Sequence, residues 1–142
     1  MIYLQLLRPR DWAKNLFLYL PLFFSGDIFN LTKSISVFEG FTAFCCIASS
    51  IYIINDYADL ESDKNHPQKR NRPLASGKVK ISIALIILLI LFITGFLIAY
   101  QISFNFLVLL SIYFLLNIAY SLRLKHIPIL DIFIHYCPTK IV

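Results

Sequence analysis

Half of the acidic residues in the chain lie within eight positions, where a long apolar segment ends. These four residues are Asp56, Asp59, Glu61 and Asp63. If the segment stays helical for two more turns, Asp56, Asp59 and Asp63 stand at i, i+3 and i+7 and share one face. Like charges on one face repel each other, and a bound divalent cation removes the repulsion. Carboxylate and amide oxygens, completed by water and substrate phosphate, are the ligands that Mg²⁺ takes. The spacing therefore predicts a Mg²⁺ site.

A second polar stripe and a basic cluster adjoin these carboxylates. Tyr52, Asn55 and Asp59 follow helical spacing as well, so the two stripes meet at Asp59. The basic cluster follows the acids and consists of His66, Lys69, Arg70 and Arg72. Its Lys and Arg side chains offer complementary charge to phosphate oxygens. The alternative is a solvated loop whose acids and bases only pair with one another. Helical spacing beside a membrane favours a functional site, because polar groups at that depth are usually functional.

The elements that hold this cluster are those of a membrane protein. The chain has 142 residues, of which 58% are hydrophobic and 15% are charged, and its mean hydropathy is +0.73. A soluble domain usually carries about 25% charged residues. Residues 81–122 are 42 positions without one charged side chain. One helix of that length would measure about 63 Å, twice the ~30 Å hydrocarbon core, so the segment is predicted to form two spans joined within residues 101–105.

We therefore predict an all-α polytopic membrane protein, with one membrane domain over residues 1–142. Four spans and the start of a fifth are predicted at about residues 12–31, 37–54, 81–100, 102–122 and 128–134. If the spans alternate, eleven of the thirteen Lys and Arg residues fall on one side. Since cytoplasmic loops carry the excess of Lys and Arg, the N-terminus and the loop 56–80 are predicted to be cytoplasmic, in the inner (plasma) membrane. In so apolar a chain, the net charge of +5 indicates such loops rather than nucleic-acid binding.

Residues 55–77 carry a resemblance to a known family. They read NDYADLESDKNHPQKRNRPLASG, which resembles the first aspartate-rich motif, NDxxDxxxD, of the UbiA superfamily of intramembrane prenyltransferases. The start of the chain, LRPRDWAKNLFLYLPLFFSG at 7–26, is similar to one branch of that family, the decaprenyl-phosphate phosphoribosyltransferases. YSLRLKHIPILD, at 120–131, is similar to the segment after the family's fourth span. The resemblance covers the N-terminal half of the family's fold and implies a truncated UbiA-type helical bundle.

The resemblance also implies roles for individual residues. Asn55 and Asp59 would be Mg²⁺ ligands, and Asp56 and Asp63 would support them directly or through water. The residues implied to contact substrate are Lys14, Tyr52 and Lys69 for the donor's phosphates or ribose, Arg72 as a weaker candidate for the same task, and Lys125 for the lipid phosphate. Considered by themselves, Lys14 and Lys125 are only cytoplasmic-side cations, for which interfacial anchoring is an equal alternative.

The implied activity is Mg²⁺-dependent transfer of 5-phosphoribosyl from phosphoribosyl pyrophosphate to a polyprenyl (decaprenyl) phosphate, at the cytoplasmic face and in cell wall biosynthesis. The partners would be these two substrates and membrane lipids, without nucleic acid; an oligomer stays open. No general base is assigned, because the acceptor phosphate is already anionic. One alternative is a UbiA-type prenyltransferase with a prenyl diphosphate donor and an aromatic acceptor, which the RPRDWAKN start disfavours. The other is a small non-enzymatic membrane protein.

The resemblance further implies a second acidic motif in a later cytoplasmic loop. Asp131 is the only acidic residue after Asp63, and the family-like sequence stops near residue 134. We therefore expect the 142-residue chain to be incomplete as an enzyme and inactive by itself.

Overall fold

The computed structural model describes residues 2–122, and this part of the chain is mostly helical, without a strand. Seven α-helices follow one another: α1 (Ile2–Leu7), α2 (Pro9–Trp12), α3 (Leu20–Phe24), α4 (Leu31–Ala58), α5 (Leu60–Asn65), α6 (Ile81–Ile102) and α7 (Phe104–Leu122). Three short 3₁₀ segments lie between them, at Ala13–Tyr19, Asp27–Phe29 and Lys69–Asn71. The predicted all-α class is confirmed over these residues.

Three of the helices, α4, α6 and α7, are long and apolar enough to cross a membrane. The predicted number of four spans is not confirmed. The 12–31 segment consists of short helical pieces, because Pro21 begins a new helix and Gly26 adopts a left-handed φ of 75°. α4 starts at Leu31 rather than near residue 37, and the Asn30 side chain caps it by accepting a hydrogen bond from the Lys33 N–H. The start of a fifth span at 128–134 lies outside the described residues.

The core between α4 and α6 is built on small side chains. Gly95 of α6 lies directly against α4: a Cβ atom at this position would stand 2.9 Å from Ile47 Cγ1 and 3.3 Å from the Ala43 carbonyl oxygen. Ala43, Ile47 and Ala99 are fully buried in the same contact. Small residues let two backbones approach closely, which is how helices associate in a membrane.

Gly95→Leu is therefore expected to destabilise the helix pair. The added side chain has no space against Ile47 and the α4 backbone, and overpacking of this kind costs about 1–3 kcal/mol. The measurement is thermal unfolding in detergent. Leu97→Phe is the control, because it adds bulk to a side chain of the same helix that is 57% exposed. Equal unfolding midpoints for the two variants would contradict this packing.

In a second buried cluster, the segment between α5 and α6 packs against the end of α4. Its members come from α1, α4, α6 and that segment, and they are Leu6, Ile53, Leu74, Val79 and Ala84. The turn is closed by backbone hydrogen bonds from Ser76 to Arg72 and from Val79 to Pro73. Residues 66–80, called the basic loop below, are thus held against the membrane helices.

Candidate active site at the end of helix α4

The aspartate-rich segment is an almost continuous helix with one irregular residue. α4 ends at Ala58 and α5 begins at Leu60, and Asp59 lies between them at φ −91° and ψ 5°. The Asp59 N–H donates to the Asn55 carbonyl, and the Asp59 carbonyl accepts from the Asp63 N–H at 2.8 Å. Because the hydrogen bonding continues through the break, the carboxylates keep close to helical spacing.

Asp56 and Asp63 are buried and paired with arginine. Each is only 2% exposed. One oxygen of Asp56, Oδ1, accepts from Arg8 Nη2 at 2.6 Å and from Arg72 Nη1 at 3.1 Å. The same Arg72 nitrogen donates to Asp63 Oδ2 at 2.6 Å. Arg72, which the family resemblance offers as a weaker candidate for a phosphate contact, therefore binds both buried carboxylates through Nη1.

The N-terminal segment (residues 2–19) runs antiparallel to α4 and contacts one stripe of it. The Arg8 guanidinium lies over the Tyr52 ring, 5.0 Å from its centroid, as well as on Asp56. Further along, Trp12 Nε1 donates to Ser49 Oγ at 3.0 Å. Asn15 Nδ2 donates to Cys45 Sγ at 3.4 Å. The contacted positions 45, 49, 52 and 56 follow i, i+4, i+7 and i+11 spacing, so they form a single face of the helix.

A groove opens between the N-terminal segment, α4 and α7, with a volume of about 560 Å³. Polar side chains stand together on its wall: Asp11, Lys14, Asn15, Tyr52 and Tyr113. The rest of the wall is apolar and is formed by Phe17, Leu18, Phe44, Ala48, Leu109, Ile112 and Leu116. A larger open depression of about 730 Å³ is lined only by residues of the N-terminal segment. The groove is the better candidate site, because three elements form its wall and both polar and apolar side chains line it.

Lys14 contributes a cation to this groove and forms an ion pair with Asp11, three residues earlier. Its ammonium lies 3.0 Å from Asp11 Oδ1. The hydrogen bond to Asp11 and the charge of that carboxylate raise the pKa of Lys14, so the amine is protonated at neutral pH. Its side chain is 75% exposed. A protonated, accessible amine in the lining of a groove is able to bind an anionic group.

Asn55 and Asp59 supply the oxygen atoms that we consider as metal ligands. Asn55 Oδ1 accepts from Ser121 Oγ at 3.0 Å, which ties α4 to α7 and leaves a second lone pair on the amide oxygen. Asp59 is half-buried. Within residues 2–122, no three His, Cys, Asp or Glu side chains cluster closely enough to hold a metal by themselves. An amide and a carboxylate oxygen still fit Mg²⁺, which is usually bound by one or two carboxylates together with water and substrate phosphate.

The structure thus places the predicted site residues in different parts of the molecule. Lys14 and Tyr52 line one groove, and Asn55 lies one helical turn beyond Tyr52 on α4. Lys69 lies on the short 3₁₀ turn of the basic loop, where its N–H donates to His66 Nδ1. Lys125 lies outside the described residues.

Sequence reasoning missed Arg8, Asn15 and Ser49. The signal for Ser49 was present, because its polar side chain continues the stripe of Tyr52 and Asp56 at helical spacing in an otherwise apolar helix. Trp12 Nε1 donates to the same serine.

The fold and the site together define a class: an integral membrane protein of packed helices, with an aspartate-rich helix end facing a basic loop. Residues 17–137 match the UbiA prenyltransferase family, and the chain belongs to that family.

Curated relatives confirm the branch that the sequence resembles. The chain is 37% identical over 135 residues to the decaprenyl-phosphate phosphoribosyltransferase of Mycolicibacterium smegmatis, covering 91% of this chain and 42% of the relative. It is 37% identical over 139 residues to the enzyme of that name from Corynebacterium glutamicum, covering 91% of this chain and 40% of the relative. The chain is also 51% identical over 49 residues to the digeranylgeranylglyceryl phosphate synthase of Sulfurisphaera tokodaii, covering 34% of this chain and 17% of the relative. The chain thus spans less than half the length of these relatives.

Proposed function

We propose that this protein transfers a 5-phosphoribosyl group from phosphoribosyl pyrophosphate to a polyprenyl phosphate, with Mg²⁺ as cofactor. The observation that carries the proposal is the groove beside the aspartate-rich helix end, in a chain about a third identical to decaprenyl-phosphate phosphoribosyltransferases. The groove combines a protonated amine and two tyrosine hydroxyls with an apolar wall. Such a site suits substrates that carry phosphate at one end and an isoprenoid chain at the other.

The donor would be held from two sides. Asn55 and Asp59 would hold the metal ion that binds the pyrophosphate oxygens, and Lys14 with Tyr52 would contact a phosphate or the ribose. Lys69, on the short turn that precedes Arg72, would contact the donor as well. Once bound, Mg²⁺ supplies electrostatic stabilisation of the charge on the departing pyrophosphate.

The acceptor would lie with its isoprenoid chain along the apolar wall of the groove. A phosphate oxygen of the acceptor would form a bond to the anomeric carbon of the ribose while the bond from that carbon to pyrophosphate breaks. The attacking oxygen is already anionic, so the step needs no general base. Lys14 would keep the two anionic substrates close to each other, because its charge offsets part of their repulsion.

Lys14→Ala is expected to raise the KM for phosphoribosyl pyrophosphate by about tenfold or more, since a hydrogen bond to a charged group contributes roughly 1.5–3 kcal/mol. The effect on kcat should be smaller, because the amine binds a charge that is present before and after the reaction. The measurement is steady-state transfer at varied donor concentration. Lys64→Ala is the matched control, since Lys64 pairs with Glu61 on the exposed side of α5. An unchanged KM in Lys14→Ala would contradict the assignment of the groove.

The site is proposed to face the cytoplasm, where a soluble sugar-phosphate donor is available. Ser62 and Ser76 are exposed on the site side, and Ser103 is exposed at the junction of α6 and α7. In a cysteine-free background, single cysteines at Ser62 and Ser76 should react with an impermeant reagent only from the cytoplasmic side, and one at Ser103 only from the other side. Labelling of position 76 from outside would reverse the orientation.

Residues 1–142 by themselves are proposed to be inactive. Asn55 and Asp59 contribute two oxygen ligands, and a site with so few ligands should bind Mg²⁺–pyrophosphate weakly. The comparison is between the 142-residue product and the product of the whole gene, with donor binding measured at several Mg²⁺ concentrations. Transfer at equal rates by both would contradict this part of the proposal.

A second candidate is transfer of a prenyl group from a prenyl diphosphate. The local 51% identity to digeranylgeranylglyceryl phosphate synthase favours it. The same metal-binding residues would serve, because the leaving group is again pyrophosphate. The two candidates differ in the donor, and a donor comparison distinguishes them.

A further inference from the structure

We propose that Arg8, Arg72, Asp56 and Asp63 form an internal brace that fixes the N-terminal segment and the basic loop to the end of α4. In this arrangement Arg8 and Arg72 act as positioning residues, and together they determine where Lys14, Tyr52 and Lys69 stand. The brace itself does not depend on the proposed function, whereas its consequence for catalysis rests on it.

The geometry makes Asp56 the shared acceptor of the brace. Its Oδ1 accepts from an arginine of the N-terminal segment at 2.6 Å and from an arginine of the basic loop at 3.1 Å. Arg72 continues the connection to Asp63 at 2.6 Å. Two segments that are 64 residues apart, around Arg8 and Arg72, therefore meet on a single oxygen atom of α4.

The charges of the four side chains balance. Two guanidinium groups face two carboxylates, and the carboxylates are almost completely buried while the arginines are 25% and 23% exposed. Buried carboxylates are costly unless they are paired and hydrogen-bonded. The arginines satisfy this requirement within the chain, so Asp56 and Asp63 need no metal ion to offset their charge.

The backbone at Arg8 supports the same assignment. Arg8 has φ 50° and ψ 60°, a left-handed conformation that non-glycine residues adopt uncommonly. The conformation is held on both sides: the Leu7 carbonyl accepts from Ser49 Oγ at 2.9 Å, and the Arg8 carbonyl accepts from the Asp11 N–H at 2.9 Å. Arg8 thus joins α1 to α2 at the point where its side chain reaches α4.

The arginine contacts distinguish two pairs of residues within the aspartate-rich motif. Asp56 and Asp63 are paired with arginine. Asn55 and Asp59, four residues apart on the same helical segment, carry the oxygens proposed for the metal. Tyr52 connects the two functions, because Arg8 lies on its ring while the same tyrosine lines the groove.

Hydrogen exchange of the 142-residue protein in lipid nanodiscs tests the brace segment by segment. Asp56→Asn should speed amide exchange in both the N-terminal segment and the basic loop, by roughly tenfold or more, because it removes the acceptor that both share. Asp63→Asn should speed exchange in the basic loop alone. Arg8→Gln should speed it in the N-terminal segment alone. Glu61→Gln, a change to an exposed carboxylate of the same cluster, should alter neither.

The pattern across these variants decides the proposal. Unchanged exchange of the N-terminal segment in both Asp56→Asn and Arg8→Gln would overturn it. Equal acceleration of amide exchange in all segments, α6 included, in Arg8→Gln and Asp63→Asn would overturn it as well. If Asp56→Asn does not fold, the other two variants still carry the test. In the transfer assay of the whole-gene product, Arg8→Lys should restore part of the donor affinity lost in Arg8→Gln. If the variants show the expected exchange pattern but the whole-gene product transfers nothing from phosphoribosyl pyrophosphate, the proposed function is wrong and the brace still stands.

Discussion

Asp59→Ala is expected to reduce transfer by on the order of 100-fold or more, measured on the product of the whole gene in membranes. The substitution removes the carboxylate of the proposed Mg²⁺-binding pair and leaves only the Asn55 amide oxygen from this helix. Asp59 is also the irregular residue between α4 and α5, so the variant must be shown to fold. Its hydrogen exchange in α4 and α6 should match that of the unmodified protein.

Glu61→Ala is the matched control for this prediction. Glu61 lies two residues away, is 84% exposed and pairs with Lys64 at 2.8 Å on the solvent side of α5. Its removal should change transfer by no more than about twofold, because exposed ion pairs contribute little. Equal losses in the two variants would mean that general negative charge, rather than ligation by Asp59, is what the reaction needs.

Removal of the metal ion is expected to have an effect of the same size. Excess EDTA should abolish transfer, and Mg²⁺ should restore it. Ca²⁺ should restore it poorly, because it prefers six to eight ligands at longer distances than Mg²⁺. In Asp59→Ala the chelator should cause little additional loss, since the variant already lacks the ligand through which the metal ion acts. Full turnover in excess chelator would contradict the metal-dependent account.

The membrane class could be predicted from the sequence because one segment has the composition and length of two membrane spans. Residues 81–122 contain no charge and are too long for one span, and α6 and α7 meet at Ser103, within the polar segment where a turn was predicted. The 12–31 segment was harder. Its apolar composition suits a span, but Pro21 and Gly26 divide it, and composition alone does not show where a chain with such residues bends.

The sequence could predict only the part of the candidate site that lies along one helix. The stripes of Asp56, Asp59 and Asp63 follow from positions along one helix. The pairing of Asp56 with Arg8 joins residues 48 positions apart. No local pattern distinguishes an arginine that binds a buried carboxylate from one that binds substrate phosphate. For this reason Arg72 was expected as a phosphate contact, whereas the structure places it between two aspartates.

The most direct measurement of the central claim is a comparison of donors. Membranes containing the whole-gene product are supplied with Mg²⁺ and decaprenyl phosphate, and then with phosphoribosyl pyrophosphate labelled in the ribose. A parallel reaction receives a labelled prenyl diphosphate and an aromatic acceptor. We expect the ribose label to appear in a lipid-soluble product and to be lost in Asp59→Ala, with no transfer of the prenyl label. Transfer of the prenyl label, with none from phosphoribosyl pyrophosphate, would contradict the account.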